Sequence, residues 1–196
     1  MLEVRIGGVV CRFSLLFPAM VAVAVTLDPS VFSLWCLAAS LMHEMGHLIA
    51  LLAFDCKPKR MVLGLFGMRV EQDPARRLGY RQNALVSLAG PAVNLVTFCI
   101  LSCFRGNETA ALVHLTLGVF NLLPIEPLDG GQALSALCQR LFTLERAGKI
   151  CLAVSICTLL LILAGGVLPV VWDRNFSLLV LLAALALALC PAKKRK

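Results

Sequence analysis

Runs of about twenty apolar residues recur along this chain, and they restrict its fold more than any other feature. A helix of roughly 20 residues crosses the hydrocarbon core of a bilayer, and inside lipid only a helix or a closed barrel satisfies every backbone N–H and C=O. Six runs are candidates, at about 9–27, 31–54, 82–104, 109–128, 149–171 and 175–191. Of 196 residues, 60% are hydrophobic and 15% charged, against about 25% charged in an ordinary soluble domain. A soluble protein this apolar could not cover its surface. The expected fold class is therefore an all-α membrane protein with about six transmembrane helices, forming a single polytopic domain over residues 1–196. Arg12 interrupts the first run, Pro124 and Pro127 break the fourth, and the sixth is short.

The basic residues orient these spans. With six spans, the N-terminus, the second and fourth connections and the C-terminus share one side, and 16 of the 18 Lys and Arg residues fall there. Only Arg105 and Arg174 fall on the other. Basic residues mark cytoplasmic loops, so both termini are expected in the cytoplasm of a multi-pass cell-membrane protein. The formal net charge of +7 is then a topology signal and not a nucleic-acid footprint. Residues 192–196 form a basic tail suited to anionic headgroups of the lipid bilayer. The nine cysteines include no CxxC pair. Cys36, Cys99, Cys103, Cys151, Cys157 and Cys190 lie in apolar runs, where a thiol behaves as a small hydrophobe.

The largest polar stretch, about 55–81, is too short for an accessory domain. Within it, residues 63–70 are apolar and punctuated by Gly64 and Gly67. This pattern reads as a short interfacial β-like segment, whose edge could pair with an extended substrate.

The second run carries His43-Glu44-Met45-Gly46-His47. Histidines four apart lie one helical turn apart on one face, so two imidazoles can occupy neighbouring corners of a zinc tetrahedron. Glu44, next to the first, stands where a general base is needed to activate water. Two histidines and a glutamate are expensive inside a membrane span, which favours a functional site over a packing cluster. A catalytic zinc of this type takes three protein ligands. The third candidates lie in or near the fourth run: His114, Glu126 and Asp129. Around the last two, Asn121-Leu122-Leu123-Pro124-Ile125-Glu126-Pro127-Leu128-Asp129-Gly130-Gly131 forces the helix to break.

These stretches, with Ala89-Gly90-Pro91-Ala92-Val93-Asn94 in the third run, resemble the site-2 protease family of intramembrane zinc metalloproteases. Their order and separation span about half the chain. The resemblance implies that His43, His47 and Asp129 hold one zinc ion per chain and that Glu44 is catalytic. It places Asn121 and Pro127 near the catalytic centre, where they accommodate substrate, and Asn94 and Pro91 as architectural residues of the third core helix. Glu126 is then a non-ligand, and His114 a local polar contact. The chain is most similar to a minimal member of the sporulation-type branch, without PDZ or CBS domain, whose enzymes process a pro-sigma factor. The implied substrate is a membrane-embedded or membrane-associated protein, with room for a regulatory membrane partner. The charge-derived orientation brings all three ligands toward a cytoplasmic opening. A non-enzymatic zinc carrier or scaffold is the alternative. A carrier would spread acidic residues or histidines over several spans, whereas here they concentrate in two, and a scaffold would have no need of Glu44.

Overall fold

In the computed structural model, which describes residues 2–6, 9–13, 31–56, 58–64, 67–72 and 78–173, most of the long apolar runs are helical. Helix α1 spans Val31–Ala53, α2 spans Tyr80–Ser102, α3 spans Glu108–Asn121, α4 spans Asp129–Leu141 and α5 spans Leu144–Asp173. At 1.5 Å per residue, the 23 residues of α1 and of α2 reach about 35 Å, enough to cross the bilayer core. Among the described residues, three helices are long and apolar enough for this: Val31–Ala53, Tyr80–Ser102 and the Leu144–Gly165 part of α5. Their surfaces match the solvent they are built for. On α1, Leu34, Leu41, Met45, Ile49 and Leu52 are exposed, while the buried polar residues include His43, Asn94 and His114. Apolar outside with polar inside is the arrangement a lipid environment rewards.

The chain forms two compact units, Met1–Asn121 and Leu122–Lys196. In the first, α1, α2 and α3 pack against one another. Small residues set these contacts, as expected where helices associate without a hydrophobic drive. A Cβ on Gly46 would lie 2.8 Å from the Ala89 carbonyl oxygen and 2.9 Å from Val93 Cγ2, so α1 meets the α2 backbone at Gly46. A Cβ on Gly118 of α3 would lie 3.3 Å from the Asn94 Cβ.

Asp55 ends α1 by adopting a left-handed conformation, φ 53°. The Cys56 N–H then reaches back to the Leu51 carbonyl at 3.1 Å, closing a Schellman-type cap with Asp where Gly is usual. Two of the chain's four described strands follow this stop. β1 (Leu2–Ile6), β2 (Val9–Phe13), β3 (Pro58–Gly64) and β4 (Gly67–Gln72) form a four-stranded sheet in the order β1-β2-β3-β4. The pairs β1–β2 and β3–β4 are antiparallel, and β2–β3 is parallel, with α1 in the chain between those two strands. The sheet adds β structure to the helical architecture. β2 also takes the first five residues of the run at 9–27; its β-branched Val9-Val10 start suits a pleated strand. The rest of that run and the run at 175–191 lie outside the described residues, as does the tail 192–196. The stretch 63–70 includes the end of β3 and the start of β4.

In the second unit, α4 and α5 pack around Cys138, Ala147 and Cys151, with Leu134 and Ile150 against them. The fourth run, expected over 109–128, stops as a helix at Asn121. Pro124 supplies no N–H and disfavours helical backbone at the residue before it. Both prolines therefore sit in the connection to α4. The stretch expected to be the loop after the fourth span is largely the 13-residue helix α4.

Candidate active site

The site is built on one turn of α1. His43 and His47 bring their Nε2 atoms to 3.1 Å, with the rings edge to face at a centroid separation of 4.8 Å. His43 is buried at 6% exposure, and His47 and Glu44 are half-buried.

Helix α2 holds both rings through three residues at four-residue spacing, Val86, Gly90 and Asn94, which share one face. The Val86 carbonyl accepts the Nδ1 proton of His47 at 2.7 Å. A carbonyl has no proton to give, so this bond leaves the His47 Nε2 with its lone pair. Pro91 lacks the N–H that would close on the Ser87 carbonyl, leaving the turn beside Val86 one helical bond short. Asn94, fully buried, donates from Nδ2 to the His43 Nδ1 at 3.1 Å. Between them lies Gly90. A Cβ there would sit 2.8 Å from the His43 Nε2 and 2.7 Å from the His47 Cε1, and closer still to the His47 Nε2. The imidazoles thus occupy the space a side chain at 90 would fill.

The donor chemistry fits a divalent metal of borderline softness. Two imidazoles, oriented from behind by a carbonyl and an amide, form the kind of half-site zinc uses.

The third helix contributes one further residue. His114, buried at 1% exposure, donates from Nδ1 to the Asn94 Oδ1 at 3.1 Å. It is a partner of Asn94, which agrees with its reading as a local polar contact. Asn121, at the end of α3, donates from Nδ2 to the Leu117 carbonyl at 3.0 Å.

In the second unit, Asp129 is half-buried in the first turn of α4. Gly130 and Gly131 bring that turn against the preceding connection. A Cβ on Gly130 would be 2.7 Å from the Leu123 oxygen, and one on Gly131 would be 2.6 Å from the Glu126 nitrogen. The Ser155 hydroxyl clamps the same connection, donating to the Pro124 carbonyl and accepting the Glu126 N–H, both at 3.2 Å. Glu126 itself is exposed and Pro127 half-buried. No residue pattern singled out Val86 or Ser155, and Gly90 entered only as part of a longer motif. The i, i+4, i+8 spacing of Val86, Gly90 and Asn94 was the one available signal.

The chain is similar to several known proteins. Residues 106–162 match the model of peptidase family M50. A zinc metalloprotease of Synechocystis sp., sll0528, is 33% identical over 111 residues, 51% of this chain and 29% of the relative. Stage IV sporulation protein FB of Bacillus subtilis is 29% identical over 132 residues, 62% of this chain and 45% of the relative. The chain spans less than half the length of these curated relatives. Among solved structures, a site-2 protease from Methanocaldococcus jannaschii superposes with a TM-score of 0.65 at 21% identity, covering 96% of this chain and 93% of that one. At that identity the likeness is one of fold.

Proposed function

We propose that this chain, whose residues 106–162 match the model of peptidase family M50, is an intramembrane zinc metalloprotease of the site-2 protease family that hydrolyses a peptide bond in a membrane-embedded or membrane-associated protein. The observation that carries this reading is the turn at His43, Glu44 and His47. It places two converging imidazole nitrogens in a helix otherwise built for lipid.

The metal set of the proposal is His43, His47 and Asp129, two imidazoles and a carboxylate, which is a donor set that suits zinc. One zinc ion held there would supply the Lewis acidity that polarises a peptide carbonyl. Glu44 accepts the proton of the attacking water at its carboxylate and delivers it to the departing amine nitrogen. Val86 and Asn94 fix the two imidazoles. Asn121 and Pro127 are the residues proposed to accommodate substrate. A substrate helix hides its carbonyls in hydrogen bonds and must unwind before attack. Among the described residues strand β4 pairs with β3 alone, and its other edge is the one proposed to take an unwound chain. The charge asymmetry supports both termini and the opening of the site facing the cytoplasm. Pro-sigma factor processing is the proposed substrate reading; it follows from the resemblance to the sporulation-type branch, and the likeness to a protein named for stage IV of sporulation supports that branch.

The test is a Glu44→Gln variant of the full chain in proteoliposomes with a membrane-tethered reporter. Zinc content should stay at the wild-type level while cleavage falls by about 10²- to 10⁴-fold, the range for loss of a general base. Undiminished cleavage by this variant would overturn the mechanism. A zinc carrier would bind and move zinc equally well with the substitution in place.

A further inference from the structure

Four hydrogen bonds in the first unit form one continuous line. His114 donates from Nδ1 to the Asn94 Oδ1 at 3.1 Å, and Asn94 donates from Nδ2 to the His43 Nδ1 at 3.1 Å. His43 then carries its proton on Nε2, facing the His47 Nε2 at 3.1 Å, and His47 donates from Nδ1 to the Val86 carbonyl at 2.7 Å. Every proton points the same way, from α3 through α2 to α1 and back to the α2 backbone.

A metal on the His43 Nε2 is incompatible with that direction. The nitrogen must present its lone pair, so the neutral ring moves its proton to Nδ1. Asn94 must then accept where it had donated. Its carboxamide achieves this by turning about its last bond, placing Oδ1 toward His43 and Nδ2 toward His114. His114 must in turn accept at Nδ1 and carry its proton on Nε2. His47 needs no change, because the Val86 carbonyl already holds it in the ligating form.

We propose that His114 is a positioning residue for the metal centre: it is the reversible end of this line, able to donate to Asn94 without metal and to accept from it when His43 is ligated. The inference rests on His43 being a metal ligand. It explains why a fully buried amide faces a histidine on each side, since a residue with a fixed donor or acceptor at 114 would lock Asn94 in one orientation. Partners of metal-bound imidazoles commonly shift metal affinity by about 10- to 100-fold.

The chain has three histidines, so each can be followed separately. The full-length protein, labelled with ¹⁵N-histidine and reconstituted in lipid, is compared by NMR before and after zinc addition. Without zinc, His43 should be protonated at Nε2 and His114 at Nδ1. With zinc, His43 should move to Nδ1–H, His114 to Nε2–H, and His47 should keep its Nδ1 proton. A His114 tautomer unmoved by zinc, while His43 and His47 respond, would overturn the proposal. Silence of His43 and His47 would instead overturn the assignment of the metal site itself. In a chelator competition, His114→Leu should lose zinc about 10- to 100-fold more readily. His114→Asn, whose carboxamide can present either edge, should hold zinc within a few fold of wild type. Equal retention by the Leu variant would also count against the proposal. Glu44→Gln should retain zinc normally.

Discussion

Gly90→Ala isolates the packing that shapes the site. In an unconstrained helix interior this change would stabilise by about 1 kcal/mol, through helix propensity alone. Here the new Cβ would stand 2.8 Å from the His43 Nε2 and 2.7 Å from the His47 Cε1, where ordinary contact begins at 3.4 Å. The overlaps are therefore 0.6 and 0.7 Å, with the His47 Nε2 in greater overlap. Neither ring can retreat freely, because Val86 holds one and Asn94 the other. Moving both rings costs about 1 kcal/mol for each weakened hydrogen bond, and overpacking adds about 1–3 kcal/mol. The steric loss exceeds the propensity gain, leaving a net penalty of roughly 2–4 kcal/mol at the two imidazoles. At about 1.4 kcal/mol per tenfold, zinc affinity should fall by about 30- to 10³-fold. Chelator competition followed by metal analysis reads this directly. The zinc-dependent rise in melting temperature, which reports binding to the native state, should shrink in parallel. Wild-type zinc retention in Gly90→Ala would refute the claim that this glycine makes room for the rings.

Two other changes probe the connection that leads to Asp129. Ser155→Ala removes a buried hydroxyl that serves both the Pro124 carbonyl and the Glu126 N–H; stranding them should cost about 1–3 kcal/mol in denaturant unfolding. Gly130→Ala meets backbone atoms, including the Leu123 oxygen at 2.7 Å, and should lose roughly 2 kcal/mol or more in the same assay. Gly148→Ala on α5, with nothing within 4 Å of its Cβ, should be neutral or stabilising by up to about 1 kcal/mol.

The turn that carries the two histidines was legible because its pattern is local. His43 and His47 are four apart, and helical periodicity alone puts them on one face. The long apolar runs at 31–54 and 82–104 were equally readable, since hydropathy over twenty residues has few competing explanations. What stayed hidden depends on contacts between helices. Nothing in the residue type of Val86 marks its carbonyl as the partner of a histidine 39 positions earlier. Asn94 read as architectural, and its role as a link between two histidines emerges only when α1, α2 and α3 are packed. In the fourth run the break was legible from Pro124 and Pro127, but its place was not: the hydropathy continues past Asn121, whereas helix α3 stops there. The strand β2 was hidden by the same bias, because an apolar run beginning at Val9 satisfies a membrane helix and a strand alike.

The parallel pairing of β2 with β3 has a consequence for how the protein assembles. Val10 lies opposite Arg60, fifty positions later in the chain, and Phe13 lies opposite Leu63. During synthesis the N-terminal strands emerge long before the strand that completes their sheet, and closing so long a loop carries an entropic cost. The helix bearing His43 and His47 lies inside that loop. The β2–β3 junction can close only after this helix has been made. The order of synthesis therefore places the helix that carries His43 and His47 ahead of sheet completion.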